Sequence, residues 1–370
     1  MKTAGNFSLA GSSPAPAAKW NMIISLFKKQ GLGIDIGSFS IKIVELSKAR
    51  GKITLVNYIE IKRNLKKLSE FSFFKNNSLT PKLGDLLQKV LSKAKIKAKR
   101  VVFTLPDFSI FFTWFELPPM KKGEIPGAVR HQARRQIPFP LNEVTLDWEI
   151  IEGTEKGGKI KILLVVVSNQ TIDQYLKIAN SSQLQLSALE AEVFALARAF
   201  SIKENIPIAL VDIGFRSSTC SILDKRVLKR SYSFDISAGK LTDSLANSLK
   251  IDYNEAEELK KKYNYLEKEK FDKKINKIFE AWLEAILQEI KRVMDEFYQL
   301  ELKPVQKIIL SGGGALLAGL KECAKRRLKK EVEIINPFLD ISYPQALEPQ
   351  LKILAPSFAI AIGAALRSLK

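Results

Sequence analysis

Histidine and cysteine are nearly absent. The 370 residues contain one histidine, His131, and two cysteines, Cys220 and Cys323. A single imidazole leaves no room for a histidine-based zinc site or a Ser-His-Asp triad. His131 stands among Arg130, Arg134 and Arg135 and reads as a solvated helix residue. Two distant cysteines in apolar stretches read as buried thiols in a reducing compartment, not as a disulfide or a metal pair. No Gly-x-x-x-x-Gly-Lys-Ser/Thr phrase occurs, which excludes a P-loop. No run of about 18 apolar residues occurs, so no spanning helix is expected. Residues 1–21 lack the basic start and apolar centre of a secretory signal. Their Ala, Ser, Pro and Gly content reads as a disordered or added leader outside the fold. Met22–Lys29 then reads as a natural start.

What is present is ordinary for a soluble globular chain of two domains: 46% apolar and 26% charged residues. The net charge of +20 is mostly lysine, scattered along the chain and interleaved with acids, as in Asn254 to Lys262. A solvated surface accounts for it better than a dedicated nucleic-acid face, because no zinc-finger or aromatic RNA-binding motif accompanies it.

The chain writes one phrase twice. Gly33-Ile-Asp35-Ile-Gly37-Ser38 and Leu210-Val-Asp212-Ile-Gly214 each end an apolar strand at a tight turn, and a second strand leaves each turn, Ser40–Leu46 and Ser217–Leu223. Strands are expected near 31–36, 40–46, 53–61, 101–105, 110–116, 145–151 and 159–168, with a helix through Leu86–Ala94 and another at 123–136, stopped by Pro138 and Pro140. Helices follow at 171–180 and 190–200. After Ile208 come the repeated hairpin, a strand at 226–234, helices at 241–249 and 254–263, a long core helix at 275–300, a strand at 307–310 and a closing helix at 358–369.

Glycine at the tip of each turn lets backbone amides approach phosphate oxygens. Ser38 and Ser40 add hydroxyls, and Lys42 adds positive charge on the same side of its strand. Asp35 and Asp212 are hard oxygen ligands suited to a hydrated magnesium ion. Ser311-Gly312-Gly313-Gly314 is either a flexible loop or a turn that brings backbone close to a ligand ahead of a helix N-terminus.

These residues resemble the actin-like ATPase superfamily, which also holds sugar kinases, seventy-kilodalton chaperones and FtsA. Within it, the chain is most similar to the PilM family of type IV pilus assembly. That likeness rests on Gly33–Leu46, Arg135-Gln-Ile-Pro-Phe-Pro-Leu-Asn-Glu-Val144, Glu255–Lys262, Leu310–Ala315 and Asn336-Pro-Phe338. The resemblance implies an α/β, two-lobed fold of duplicated RNase H-like domains, with lobes at 22–205 and 206–370, a small subdomain inserted at about 101–168, and a C-terminal helix packing back toward the first lobe. It implies ATP and magnesium between the lobes. Gly37, Ser38, Ser40, Lys42 and Gly214 would contact phosphates, and Asp35 and Asp212 would hold the metal, mostly through water. Glu258, Lys261, Lys262, Gly312, Gly313 and Gly314 would contact adenosine, although the helix residues also read as an exposed charged face.

No residue announces itself as the base for water, Glu190 and Glu192 being candidates by chain order alone. Slow hydrolysis is therefore expected. The implied partner is the cytoplasmic N-terminal tail of PilN, in a groove walled by the inserted subdomain. Arg130, Arg134 and Arg135 either belong to that surface or are solvated charges. Pilus motor ATPases, a platform protein and self-association are further implied partners, and the implied location is the cytoplasmic face of the inner membrane, reached through a partner. An FtsA-like division role is the rival, weakened by a closing helix whose Ala/Ile/Gly run reads as buried. A small-molecule kinase would need a substrate-binding catalytic aspartate, for which no motif is seen.

Overall fold

The computed structural model describes residues 29–62, 79–154, 157–200 and 205–370. The expected leader at 1–21 and the start at Met22 lie outside the described residues. The first half runs β1 (Lys29–Ile36), β2 (Ser40–Ala49), β3 (Lys52–Lys62), α1 (Leu79–Lys93), β4 (Arg100–Leu105), β5 (Ile110–Leu117), α2 (Ile125–Gln136), β6 (Val144–Thr154), β7 (Gly157–Ser168), α3 (Asn169–Ser181), β8 (Gln185–Ala191) and α4 (Glu192–Ala199). The second half runs β9 (Ile208–Ile213), β10 (Ser218–Asp224), β11 (Val227–Phe234), α5 (Ala238–Leu249), α6 (Tyr253–Lys262), α7 (Lys273–Glu301), β12 (Lys307–Ser311), α8 (Leu320–Leu328), β13 (Glu331–Ile334) and α9 (Glu348–Ser368).

Two five-stranded sheets share one topology, β3-β2-β1-β4-β8 and β11-β10-β9-β12-β13. In each, the first three strands form an antiparallel meander and the last two join in parallel. The central strands β1 and β9 are buried on both faces, which explains their nearly unbroken apolar sequence. A third, antiparallel sheet, β5-β7-β6, interrupts the first unit between β4 and α3. One face of this sheet, through Ile162, Leu164 and Val166, packs on Val129 and Ala133 of α2. Its other face, through Leu163 and Val165, joins the main core of the first unit. The alternation of β7 thus seats the inserted sheet between α2 and that core.

Helix α7 buries the expected stripe from Phe279 to Phe297. Local signals set the helix starts: Ser237 caps α5, Asp252 and Glu255 form a capping box on α6, and Asp272 caps α7.

Three elements differ from the sequence expectation, and β13 is an additional strand. The segment read as one helix at 190–200 is a strand to Ala191 with α4 beginning at Glu192. The triple glycine enters a 3-10 turn at Gly313–Leu316, and α8 begins only at Leu320. The closing helix starts at Glu348 and continues through Pro356. With the 3-10 turn at Gln345–Leu347 it makes a helical span, Gln345–Ser368, long and apolar enough to cross a membrane, contrary to expectation, yet 61% of its apolar window is buried within the protein.

Helix α9 lies on β1 and along α4, and glycines make this close approach feasible. A Cβ on Gly33 would sit 2.2 Å from the Ala361 carbonyl oxygen, and one on Gly363 would sit 1.8 Å from that of Ala195. The same helix reaches the second sheet, where the Pro356 carbonyl accepts from the Gly312 amide at 3.0 Å and the Ser311 hydroxyl at 3.2 Å.

Candidate functional site

The first hairpin places Asp35 at the end of β1, directly across the ladder from Lys42. Lys42 Nζ lies 4.0 Å from Asp35 Oδ2, and the Thr104 hydroxyl donates to Asp35 Oδ1 at 3.3 Å. Gly37 opens the turn beside both groups: the position of a Cβ there is 3.8 Å from Asp35 Oδ2 and 4.0 Å from Lys42 Nζ. Gly37 and Ser38 are half-buried in the turn. Ser40 does not join them. It is fully buried, and its hydroxyl donates to Glu60 on β3 at 2.8 Å, so the structure removes it from the phosphate set expected from sequence.

The second hairpin repeats the backbone with a different electrostatic outcome. Asp212 faces Thr219 across the ladder, and Thr219 shares a hydrogen bond with Ser233 at 2.9 Å. Asp212 Oδ1 is buried without a hydrogen-bond partner. Burial first, and then the negative charge of Asp35, push the Asp212 carboxyl up to about 6, while nearby Ser311 and Lys42 pull the other way. Gly214 leaves the turn open, since a Cβ would meet the Ser217 carbonyl oxygen at 2.6 Å. The tips touch: Phe39 and Phe215 have ring centroids 5.2 Å apart, and the Arg216 guanidinium lies 5.1 Å from the Phe108 ring centre. Both aspartates therefore line one cleft.

The glycine turn completes the floor on the side of the second sheet. Gly312 adopts φ +82, and a Cβ there would fall 2.5 Å from the Ile213 carbonyl oxygen and 2.9 Å from Asp212 Oδ1. Gly314 presses on the Ile213 side chain, while Gly313 faces open space. Helix α6 approaches this turn from beyond, for Asn264 bridges to Ala318. Its outer face carries Glu258 and Lys261, ion-paired at 2.7 Å, and exposed Lys262. Its inner face holds Lys260 between Glu257 at 2.6 Å and Thr242 at 2.9 Å.

Two acids extend the cleft. Asp107 follows β4, and its Oδ1 accepts from the Val193 amide at 3.3 Å; in return Glu192 Oε2 accepts from the Asp107 amide at 3.3 Å. This reciprocal pair caps the start of α4. Burial pushes Asp107 up to about 7, with the charge of Asp212 adding to it. Burial and then Asp35, Asp107 and Asp212 hold Glu192 well above the usual carboxylate range. Of the two glutamates suggested by chain order, only Glu192 faces the cleft. Glu190 is buried between Arg198, at 2.8 Å, and Arg367, at 2.9 Å, and ties α4 and α9 to β8. Asp107 went unread because Pro106-Asp107 looks like a turn between strands. The duplication holds the missing signal: β4 is the counterpart of β12, so the residues after β4 occupy the place of the glycine turn.

The expected partner surface separates into two. A cleft between the inserted sheet and the first unit is lined by Thr145, Val165, Val167, Ile172, Leu189 and Phe194. Arg130, Arg134 and Arg135 are exposed on α2, across the sheet from this cleft, and do not line it. A second, larger opening of about 620 Å³ runs between the edges of β5 and β11 and reaches Asp107. Trp114 spans that opening, donating from Nε1 to the Leu228 carbonyl at 3.1 Å.

Two sheets of identical order, each delivering an aspartate hairpin to one cleft, with a small sheet inserted in the first, define an actin-like two-lobed fold. The chain belongs to the family of the type IV pilus assembly protein PilM, whose model matches residues 33–369. A solved PilM–PilN type IV pilus biogenesis complex is similar, with 24% identity, TM-score 0.79, and coverage of 92% of this chain and 98% of that one. The ethanolamine utilization protein EutJ from Carboxydothermus hydrogenoformans is similar at 17% identity and TM-score 0.55, covering 91% of this chain and 90% of that one. MreB5 of Spiroplasma citri bound to ADP is similar at 10% identity and TM-score 0.53, covering 91% of this chain and 95% of that one.

Proposed function

We propose that the cleft binds ATP with magnesium, and that the protein serves as a nucleotide-bound scaffold for pilus assembly. On this reading the lobes divide at about residue 205. The observation that carries the proposal is the buried, orphaned Oδ1 of Asp212, set opposite Asp35 with no lysine in its own hairpin. Buried carboxylate oxygens of this kind call for a cation. Among the described residues no three metal-ligating side chains converge on one point, which suits magnesium shared between Asp35, Asp212, water and phosphate. Bound there, the ion would neutralise phosphate charge. Gly37, Ser38, Lys42 and Gly214 hold the phosphates, with Ser40 left out. Gly313 is the open position for the nucleoside, and Glu258, Lys261 and Lys262 reach it from α6.

Glu192, with Asp107 beside it, is placed to orient water, and their capping of the start of α4 ties both down. Slow turnover, below about one per second, follows from the lack of a free base. The cytoplasmic N-terminal tail of PilN docks at the mouth of the narrow cleft beside Val165 and Phe194, about 40 Å³ in this structure, which must widen to admit it; this puts the protein at the inner face of the membrane through its partner. Family membership supports this partner, and the cleft's lining is mostly apolar, with Asp147 and Glu190 among it.

Calorimetry tests the nucleotide reading. ATP binds with magnesium and at least tenfold more weakly in chelator, and Asp212→Asn abolishes the difference. Absence of heat from magnesium–ATP on folded protein would overturn the reading. A PilN tail peptide titrated into wild type and Val165→Asp tests the partner cleft separately.

A further inference from the structure

Nothing in the nucleotide cleft or the partner cleft uses the phrase from Arg130 to Pro140, yet its exposed side chains have one consistent character. Arg130, His131, Arg134 and Arg135 all point to solvent from α2, and Ile125, Val129 and Ala133 bury its opposite face. None of the four forms an ion pair among the described residues. No acid occurs between Ile125 and Asn142. Two exposed arginines on other helices, by contrast, are held by acids: Arg292 on α7 by Glu289 and Glu296, and Arg327 on α8 by Glu280 and Glu284. Directly after α2, Phe139 is 50% exposed between exposed Pro138 and Pro140, with its ring braced edge-on by Phe111 at 6.3 Å.

We propose that this face of α2, with the Phe139 tip, docks on an anionic phospholipid surface. Unpaired arginines on one helix face supply the attraction, and guanidinium gives up hydration water more readily than ammonium does. The net charge of +20 adds long-range steering. A projecting aromatic ring beside basic residues suits the interfacial layer of a bilayer. Two features favour lipid over an acidic protein. The basic side chains lie on the outer face of one helix, opposite Ile125, Val129 and Ala133, and proline at both neighbours of Phe139 removes backbone donors a docked peptide would pair with. The inference stands on α2 alone and does not depend on the nucleotide or partner proposals.

The test is co-sedimentation of the whole protein with vesicles of about 70% phosphatidylcholine and 30% phosphatidylglycerol in about 0.1 M salt. Arg130, Arg134 and Arg135, all changed to Gln, lower the partition coefficient about 100-fold, whereas Lys277, Lys291 and Lys325 on α7 and α8, changed to Gln, lower it less than about threefold. Phe139→Ala lowers it about five- to tenfold and persists at raised salt, as loss of an apolar contact requires. Circular dichroism and melting temperature confirm that each exposed-site variant is folded. Equal losses in the two triple variants would reduce binding to net charge and overturn the proposal. No vesicle binding, with patch-dependent capture by polyglutamate, would replace lipid with an acidic protein and also overturn it.

Discussion

The two lobes have the same strand order and differ where their chemistry meets. Asp35 faces Lys42 across its ladder, and Asp212 faces Thr219 at the matching register. The strand beside each aspartate brings a hydroxyl: Thr104 donates to Asp35, whereas Ser311 donates to the Pro356 carbonyl. Beyond that hydroxyl the first lobe continues Leu-Pro-Asp107 and the second continues Gly312-Gly-Gly314. Duplication preserved the backbone, and divergence gave one copy its own countercharge and left the other carboxylate short of one. The first hairpin carries its own cation beside Asp35, whereas Asp212 Oδ1 is buried without a hydrogen-bond partner.

The lobes also differ in what covers their central strand. Where β9 has Ile208 and Leu210, β1 has Gly31 and Gly33 at the same distances from the aspartate, because α9 lies there at backbone range. Copying the second lobe into the first breaks this contact. Gly33→Leu is expected to cost at least about 4 kcal/mol or to prevent folding, since backbone blocks the new side chain. Gly127→Ala, made into open space on α2, should be neutral or slightly stabilising. Urea midpoints of the two variants give the comparison.

The next effect separates the two glutamates. Glu190→Gln leaves Arg198 and Arg367 without their buried counterion and should destabilise the protein by about 3 kcal/mol, with magnesium–ATP affinity unchanged once folded. Glu192→Gln relieves a carboxylate surrounded by like charge, so it should not destabilise, and instead should slow the residual turnover. If Glu190→Gln slowed turnover in fully folded protein, the two roles would be reversed.

Substituting each aspartate by asparagine should give opposite signs without ligand. The Asp212 pKa of about 6 lies above its ordinary 3.8. A raised carboxyl favours the folded state most below about pH 4, and that gain is gone once pH rises through 6. Asp212→Asn removes the penalty, so at pH 7.5 the ligand-free variant should be more stable by on the order of 2 kcal/mol, after allowing for the solvent reaching its half-buried side chain. Near pH 4 the two proteins should match. Asp35→Asn strips Lys42 of its partner, partly offset by relief of its repulsion with Asp212, and should destabilise by less than about 1 kcal/mol. Melting temperatures at both pH values, with and without magnesium–ATP, read all of this at once.

Much of the architecture was legible because it rests on local pattern: paired Asp-x-Gly turns, alternating strands and the long stripe of α7. What escaped has physical reasons. Strand β8 ends where apolar spacing already suits a helix, so Glu190–Phe200 looked continuous, and the boundary at Ala191 comes from pairing with β4. Strand β13 is four residues with two acids and exists because β12 offers an edge. Pro356 hid the first half of α9, although its carbonyl is held by the glycine turn. At the candidate site, the turns carrying Asp35, Gly37, Asp212, Gly214 and the three glycines, and Lys42 across from Asp35, were readable from the sequence. The neighbour of Ser40 was not, because Glu60 comes from the third strand, where it pairs with Lys42 and reaches Ser40 diagonally. Asp107 needed the two lobes laid over one another.

The finest test of the asymmetry is to remove it. Thr219→Lys puts into the second hairpin the cation that the first already has, at the register position facing Asp212. Thr219 is 7% exposed, and its loss forfeits the bond to Ser233, so the net stability change should be small, within about 1 kcal/mol. The new ammonium should return Asp212 toward the ordinary carboxylate range and abolish the stability gain that Asp212→Asn shows on wild type. It should also compete with the metal, weakening the magnesium dependence of ATP binding by about tenfold while leaving magnesium-free binding equal or slightly tighter. Magnesium titrations at fixed ATP, run on wild type, Thr219→Lys and the double variant with Asp212→Asn, separate the contributions. An unchanged magnesium dependence in Thr219→Lys would mean that the lone carboxylate oxygen is not where the cation sits.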